Sequence, residues 1–128
     1  MKRTEPILSN EYFQVKWHSD VAIIIPSPEV EQLPESLMQP AAQMLLTPMK
    51  EDPPMHLIVD LTGVRYFGSA FITFLLRCHE VAQQQGSELA VSGVTSRVRE
   101  LLRVTAMDQI WSLYETRQEA IQALGSLD

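Results

Sequence analysis

Positive charge is in short supply. Lys and Arg number 10 against 16 Asp and Glu, which leaves 128 residues with a net charge of −6. Gripping a nucleic-acid backbone takes a basic stripe that neutralises phosphates, so a dedicated nucleic-acid binder is excluded. Cysteine occurs once, at Cys78, which rules out an internal disulfide framework and is compatible with a reducing compartment. Long hydrophobic runs are missing as well, and Met1-Lys2-Arg3-Thr4-Glu5-Pro6 passes into polar residues without the apolar core of a signal peptide. The expectation is a soluble, unexported, cytoplasmic protein with no membrane partner.

Glycine is scarce too, at 5 residues. Gly63 and Gly68 fit neither the dinucleotide nor the mononucleotide phosphate-loop pattern. The three histidines, His18, His56 and His79, have no metal-ligand spacing with one another or with Cys78. Neither a metal nor a cofactor is expected. No internal repeat or low-complexity tract is visible.

What is present is a core. Hydrophobic residues make up 45% of the chain, enough for one domain of ordinary size. Its organising stretch is Leu57 to Gly86. Leu57, Ile58, Val59 and Leu61, with Val64, Tyr66 and Phe67, predict a strand buried on both faces. A two-residue turn then leads into a helix, because Phe71, Leu75, Cys78 and Ala82 recur at helical spacing, with Ile72 and Leu76 widening the stripe. Cys78 on that stripe reads as a buried structural thiol. Gly86 follows where a left-handed cap belongs. Ser69 is the expected N-cap, at the positive end of the helix dipole, where an added phosphate would also be stabilised.

On either side of this stretch the pattern continues. Residues 1–11 read as a loose lead-in and 12–125 as one domain. Tyr12 to Trp17 and Val21 to Ile25 predict a hairpin turning at His18-Ser19-Asp20. Seven prolines punctuate Pro26 to Pro54. One helix is expected there from Pro40, acceptable at a first helical position, to Leu46, with Ala41, Met44 and Leu45 buried, after an earlier turn at Leu33, Leu37 and Met38. Glu88 to Val91 predicts a strand. Thr95 or Ser96 caps a helix over Arg97 to Arg103, with Val98, Leu101 and Leu102 inward and Arg97, Arg99 and Arg103 as a short basic patch. Ile110 to Tyr114 suggests a last strand, and Thr116-Arg117-Gln118-Glu119 matches a capping box before Ala120, Ile121 and Leu124. The strand and helix alternation after Met55 calls for right-handed crossovers and a parallel sheet portion, with the hairpin attached antiparallel. The fold class is therefore α/β, a mixed sheet packed against about four helices.

Val59-Asp60-Leu61-Thr62-Gly63-Val64, Gly68-Ser69-Ala70, Gly86-Ser87-Glu88-Leu89-Ala90-Val91 and Val98-Arg99-Glu100-Leu101-Leu102 resemble, in order and spacing, the STAS domain of bacterial anti-sigma factor antagonists. The resemblance runs from about Tyr12 to Leu124. It implies a single STAS-like domain and a non-enzymatic module that binds an anti-sigma factor with serine kinase activity. Ser69 matches the family's phosphoacceptor. Gly68 stands for the family's Asp, Ala70 for its second Ser and Phe71 for its Gly. The resemblance places the partner contact on Gly68, Ser69, Ala70, Phe71, Thr73 and Arg97, and Phe71 reads equally as core. Ala106 stands where the family commonly uses Gly at the end of this helix, and because a left-handed residue costs about 1 kcal/mol more without glycine, the turn there is expected to differ locally. A homodimer stays open.

The residues weigh other chemistries lightly. A Ser-His-Asp set can be composed from Ser69, His79 and Asp60, but neither a nucleophile elbow nor an oxyanion motif surrounds Ser69. Asp60 is better read as a carboxylate capping N–H groups of the next loop. Trp17 and Trp111 read as packing residues. The readings that remain are a phosphorylation switch at Ser69 and a structural STAS module whose switch has decayed, the latter supported by the missing acid at position 68.

Overall fold

Alternating residues at the N-terminus form the hairpin that their pattern predicts. In the computed structural model, which describes residues 10–125, β1 (Phe13–His18) buries Phe13 and Val15 and exposes Gln14 and Lys16. It pairs antiparallel with β2 (Val21–Pro26), from Phe13 opposite Pro26 to His18 opposite Val21. Ser19 turns the hairpin at a φ of 53°. β3 (His56–Asp60), β4 (Leu89–Ser92) and β5 (Ser112–Leu113) then follow in parallel, so the sheet order is β1-β2-β3-β4-β5.

Both faces of the sheet are covered, which is why the β3 run is apolar without alternation. Ala22, Ile24, Leu57, Val59, Leu89 and Val91 point toward α1 (Glu35–Glu51), α2 (Ser69–Gln84) and α3 (Ser96–Val104). Val21, Ile23, Ile58 and Ala90 meet Ala120 and Leu124 of α4 (Arg117–Gly125) on the other face. Several local signals hold, while the last strand shortens to Ser112–Leu113 and Ile110 is exposed. Thr95 Oγ1 accepts the Val98 N–H at 3.2 Å. Thr116 and Glu119 exchange both capping-box bonds at 3.1 Å. Gly86 and Ala106 are left-handed, at φ 70° and 61°.

The proline-rich segment departs from expectation. A single helix covers Glu35–Glu51, with Pro34 at its N-cap position and Pro40 and Pro48 inside it. Each internal proline removes the helical partner of the carbonyl four residues back, at Ser36 and Met44. Both of those residues are exposed, where water can serve them. Met38, Ala42, Leu45 and Met49 set the buried face. Met44, expected inside, lies about 100° round the helix from Leu45 and is 62% exposed. Leu37 is exposed as well.

Residues 1–9 of the expected lead-in lie outside the described residues. Asn10 is firmly held: its Oδ1 accepts the Tyr12 and Phe13 N–H groups, and its Nδ2 donates to the Ala41 carbonyl at 3.1 Å.

Candidate functional site

The carboxyl ends of β3 and β4 lie side by side, and the chain leaves both toward helices on the same face. The loop after β3 and the start of α3 after β4 therefore share one end of the sheet. In place of the expected two-residue turn, residues Leu61 to Gly68 connect β3 to α2. Val64 and Phe67 are buried there, while Tyr66, expected in the strand, is 49% exposed.

Asp60 holds the start of this connection. It is 1% exposed. Its Oδ1 accepts the Thr62 N–H at 3.1 Å and the Thr62 hydroxyl at 2.6 Å, and its Oδ2 accepts from Arg117 Nε at 2.7 Å. Arg117 opens α4, so this ion pair ties the helix on one face of the sheet to the loop that serves the other. Gly93 closes over the cluster at φ +68°; a Cβ there would stand 2.5 Å from Asp60 Oδ1 and from the Thr62 nitrogen. The fully buried Ser92, opposite Asp60 in register, has a hydroxyl with no hydrogen-bond partner among the described residues. Farther along the loop, the Arg65 N–H donates to Glu31 Oε2 at 2.7 Å. The loop is thus fixed before it reaches α2.

Burial pushes the Asp60 carboxyl up, but hydrogen bonds from Thr62 and Arg117 outweigh that and hold it below the ordinary aspartate value. A group depressed on folding adds stability above its unfolded value, which is lost as pH falls through the folded one. Arg117→Met strands a buried charge. The expected cost is about 3 kcal/mol, the low end for a broken buried pair because Arg117 is one-third exposed. Because the stranded charge disappears when Asp60 takes up a proton, the deficit of the variant should narrow as pH falls through the range where the paired Asp60 protonates. Denaturant melts across pH read both effects, and a deficit that stays constant with pH would contradict the pairing.

At the entrance to α2 the structure moves the cap by one residue. Gly68 is extended, at φ −110° and ψ −163°, and its carbonyl accepts the Phe71 and Ile72 N–H groups at 3.2 Å each. Gly68 is therefore the N-cap and Ser69 the first helical residue, without a side-chain cap bond. Glycine is accepted at an N-cap, which leaves the hydroxyl free of that duty. Ser69 is exposed at the positive end of the helix. Thr73 is exposed one turn on, its hydroxyl donating to the Ser69 carbonyl at 3.1 Å.

Not all the expected contact residues share this surface. Gly68, Ser69 and Thr73 are exposed and Ala70 is half-buried. Phe71 is 1% exposed, its ring 5.3 Å from that of Phe67 and 5.4 Å from that of Phe74, so its place in the partner contact is corrected to core. Arg97 is exposed in the first turn of α3, at the same end of the sheet. The basic patch there is reduced, because Arg103 forms a two-point pair with Glu100.

Ser69, His79 and Asp60 do not assemble. Asp60 is engaged by Arg117 and Thr62, and His79 Nδ1 accepts from Trp111 Nε1 at 3.1 Å. Burial pushes the Cys78 thiol far up, so it carries no nucleophilic role. Among the described residues no group of His, Cys, Asp and Glu could hold a metal, and no helix is long and apolar enough to cross a membrane.

The family model described as the Mlab STAS domain matches residues 35–115, from the first residue of α1 through β5. The chain belongs to the STAS family. A STAS domain protein from Planctomyces limnophilus, an anti-sigma-factor antagonist, is 30% identical over 88% of this chain and 96% of its own, with a TM-score of 0.75. An anti-sigma factor antagonist from Mycobacterium paratuberculosis is 20% identical over 97% of this chain and 98% of its own, at 0.68. The antagonist SpoIIAA in its unphosphorylated form is 13% identical over 89% and 96%, at 0.73. The last two show the shared fold alone. Comparison with curated proteins finds no match.

In the STAS frame, the Asp60 ion pair, the close approach of Gly93 and the His79–Trp111 bond were beyond sequence reasoning. Arg117 lies 57 residues from Asp60, and Trp111 lies 32 from His79. Only the lone Gly93 just past a strand could have hinted at a tight backbone approach.

Proposed function

We propose that this STAS domain is a non-enzymatic, cytoplasmic anti-sigma factor antagonist that binds an anti-sigma kinase while Ser69 is bare and releases it once Ser69 carries phosphate. The observation that carries the reading is the state of Ser69. It is the first residue of α2, exposed, with its hydroxyl free of a capping bond and delivered by a fixed loop. A dianion added there meets free N–H groups and the helix dipole, so the fold tolerates the charge and the partner must accommodate it. The 30% identity to the Planctomyces limnophilus anti-sigma-factor antagonist supports the partner class.

A structural STAS module with a decayed switch is the second reading, and Gly68 in place of the family's acid favours it. Space does not compel that glycine, because nothing lies within 4 Å of where its Cβ would be.

Incubation with the anti-sigma kinase and ATP, followed by phosphopeptide mapping, separates the two readings. Phosphate is expected on Ser69 alone. Thr62 is engaged by Asp60, Ser92 is buried, Thr95 caps α3, and Thr73 lies a turn inside α2, bonded to a carbonyl. Phosphate on Thr73 with none on Ser69 would overturn the assignment.

A further inference from the structure

Arg77 on α2 is half-buried, yet among the described residues its guanidinium forms neither a hydrogen bond nor an ion pair. Lys50, near the end of α1, is likewise unpaired. Both line one hollow of about 290 Å³ between the two helices, floored by the buried Leu46. Gln39, Gln43 and Thr47 add neutral polar side chains from α1, and Glu80 supplies a lone carboxylate from α2.

Arg65, Arg103 and Arg117 each meet a carboxylate, and Lys16, Arg97 and Arg99, which do not, are exposed to water. Among the described residues Arg77 is thus the cation that is half-buried and still unpaired. Here the cations face amide and hydroxyl groups, and Glu80, three residues from Arg77, does not pair with it. Those groups complement an external oxyanion: two cations for its charge, with Gln and Thr donors for its remaining oxygens. A lone carboxylate would repel a bare anion but accepts a hydrogen bond from a hydroxyl. The hollow has room for several water-sized groups, enough for a small ligand.

We propose that the hollow between α1 and α2 binds a small hydroxylated oxyanion, with Arg77 and Lys50 holding its anionic group and Glu80 accepting from its hydroxyl. The site is separate from the phosphorylation reading and does not depend on it. Arg77 also borders the small notch lined by Ala70 and Thr73, so a bound anion would sit about 12 Å along α2 from Ser69.

The test is a set of proton–nitrogen NMR titrations at constant ionic strength with glycerol phosphate, inorganic phosphate and glycerate. Saturable shifts are expected at Arg77 Nε–H and at the Gln39 and Gln43 side-chain amides, with a dissociation constant of about 1 mM or tighter for the best probe. Tighter binding of glycerol phosphate identifies a phosphate ester as the ligand class; tighter binding of glycerate identifies a carboxylate. Inorganic phosphate, without a hydroxyl-bearing carbon, should bind about tenfold more weakly than the better probe. Arg77→Gln and, at an exposed position, Lys50→Gln should each weaken binding about tenfold, with spectral dispersion retained. Shifts that never saturate with any probe, or that persist unchanged in both variants, would overturn the proposal.

Discussion

Ser69→Asp should weaken binding to the anti-sigma kinase by about thirtyfold to a few thousandfold, while Ser69→Ala preserves it and both variants stay folded. Folding survives because Ser69 is not the cap. Gly68 closes the helix, and the Ser69 side chain makes no bond whose loss alanine would register. A carboxylate in the first turn gains about 0.3–1 kcal/mol from the dipole. Binding moves the other way, since a carboxylate pressed against a partner without a matching cation is desolvated and unpaired. That costs on the order of 2–5 kcal/mol, at 1.4 kcal/mol for each tenfold. Calorimetric titration with a thermal melt for each variant measures both quantities. Equal affinities for the Asp and Ser forms would mean that this face is not the contact.

Gly93→Ala should cost about 3–5 kcal/mol and Gly86→Ala only about 1–2 kcal/mol, although both glycines are left-handed. The backbone penalty for a side chain at positive φ is common to the two. The surroundings differ: a Cβ at Gly86 meets open space, whereas at Gly93 it meets Asp60 Oδ1 and the Thr62 backbone nitrogen at 2.5 Å. A backbone nitrogen cannot swing aside as a flexible side chain does. The Asp60–Thr62 bonds must break or β4 must shift, and a buried carboxylate is left underserved. Denaturant unfolding of the two variants side by side checks this; equal losses would show that Gly93 is needed for its φ alone.

Local signals were readable in the sequence wherever short-range physics decides the outcome. The hairpin, the α2 stripe, the Thr95 cap, the Thr116–Glu119 box and the left-handed Gly86 each depend on neighbours within a few positions, whereas Ala106 keeps the left-handed turn that its residue type argued against. Pro40 misled because a proline inside a helix is disfavoured on average, yet on the solvent side of α1 water can serve the carbonyls it frees. Met44 followed from that error, since the shortened helix gave the wrong buried face. Ser69 was expected as the cap from its residue type, but Gly68 adopts the extended conformation and takes the role. Phe71 was placed at the contact by analogy, while its ring belongs to a cluster with Phe67 and Phe74. The Asp60–Arg117 pair joins opposite faces of the sheet, a relation that exists only after folding.

The central claim is that one phosphate on Ser69 decides whether the partner is held. Titration of the anti-sigma kinase with protein fully phosphorylated at Ser69, beside the unmodified protein, tests it most directly. Saturable binding of the bare form and loss of binding by the phosphorylated form is the predicted result; indistinguishable binding curves for the two would contradict it.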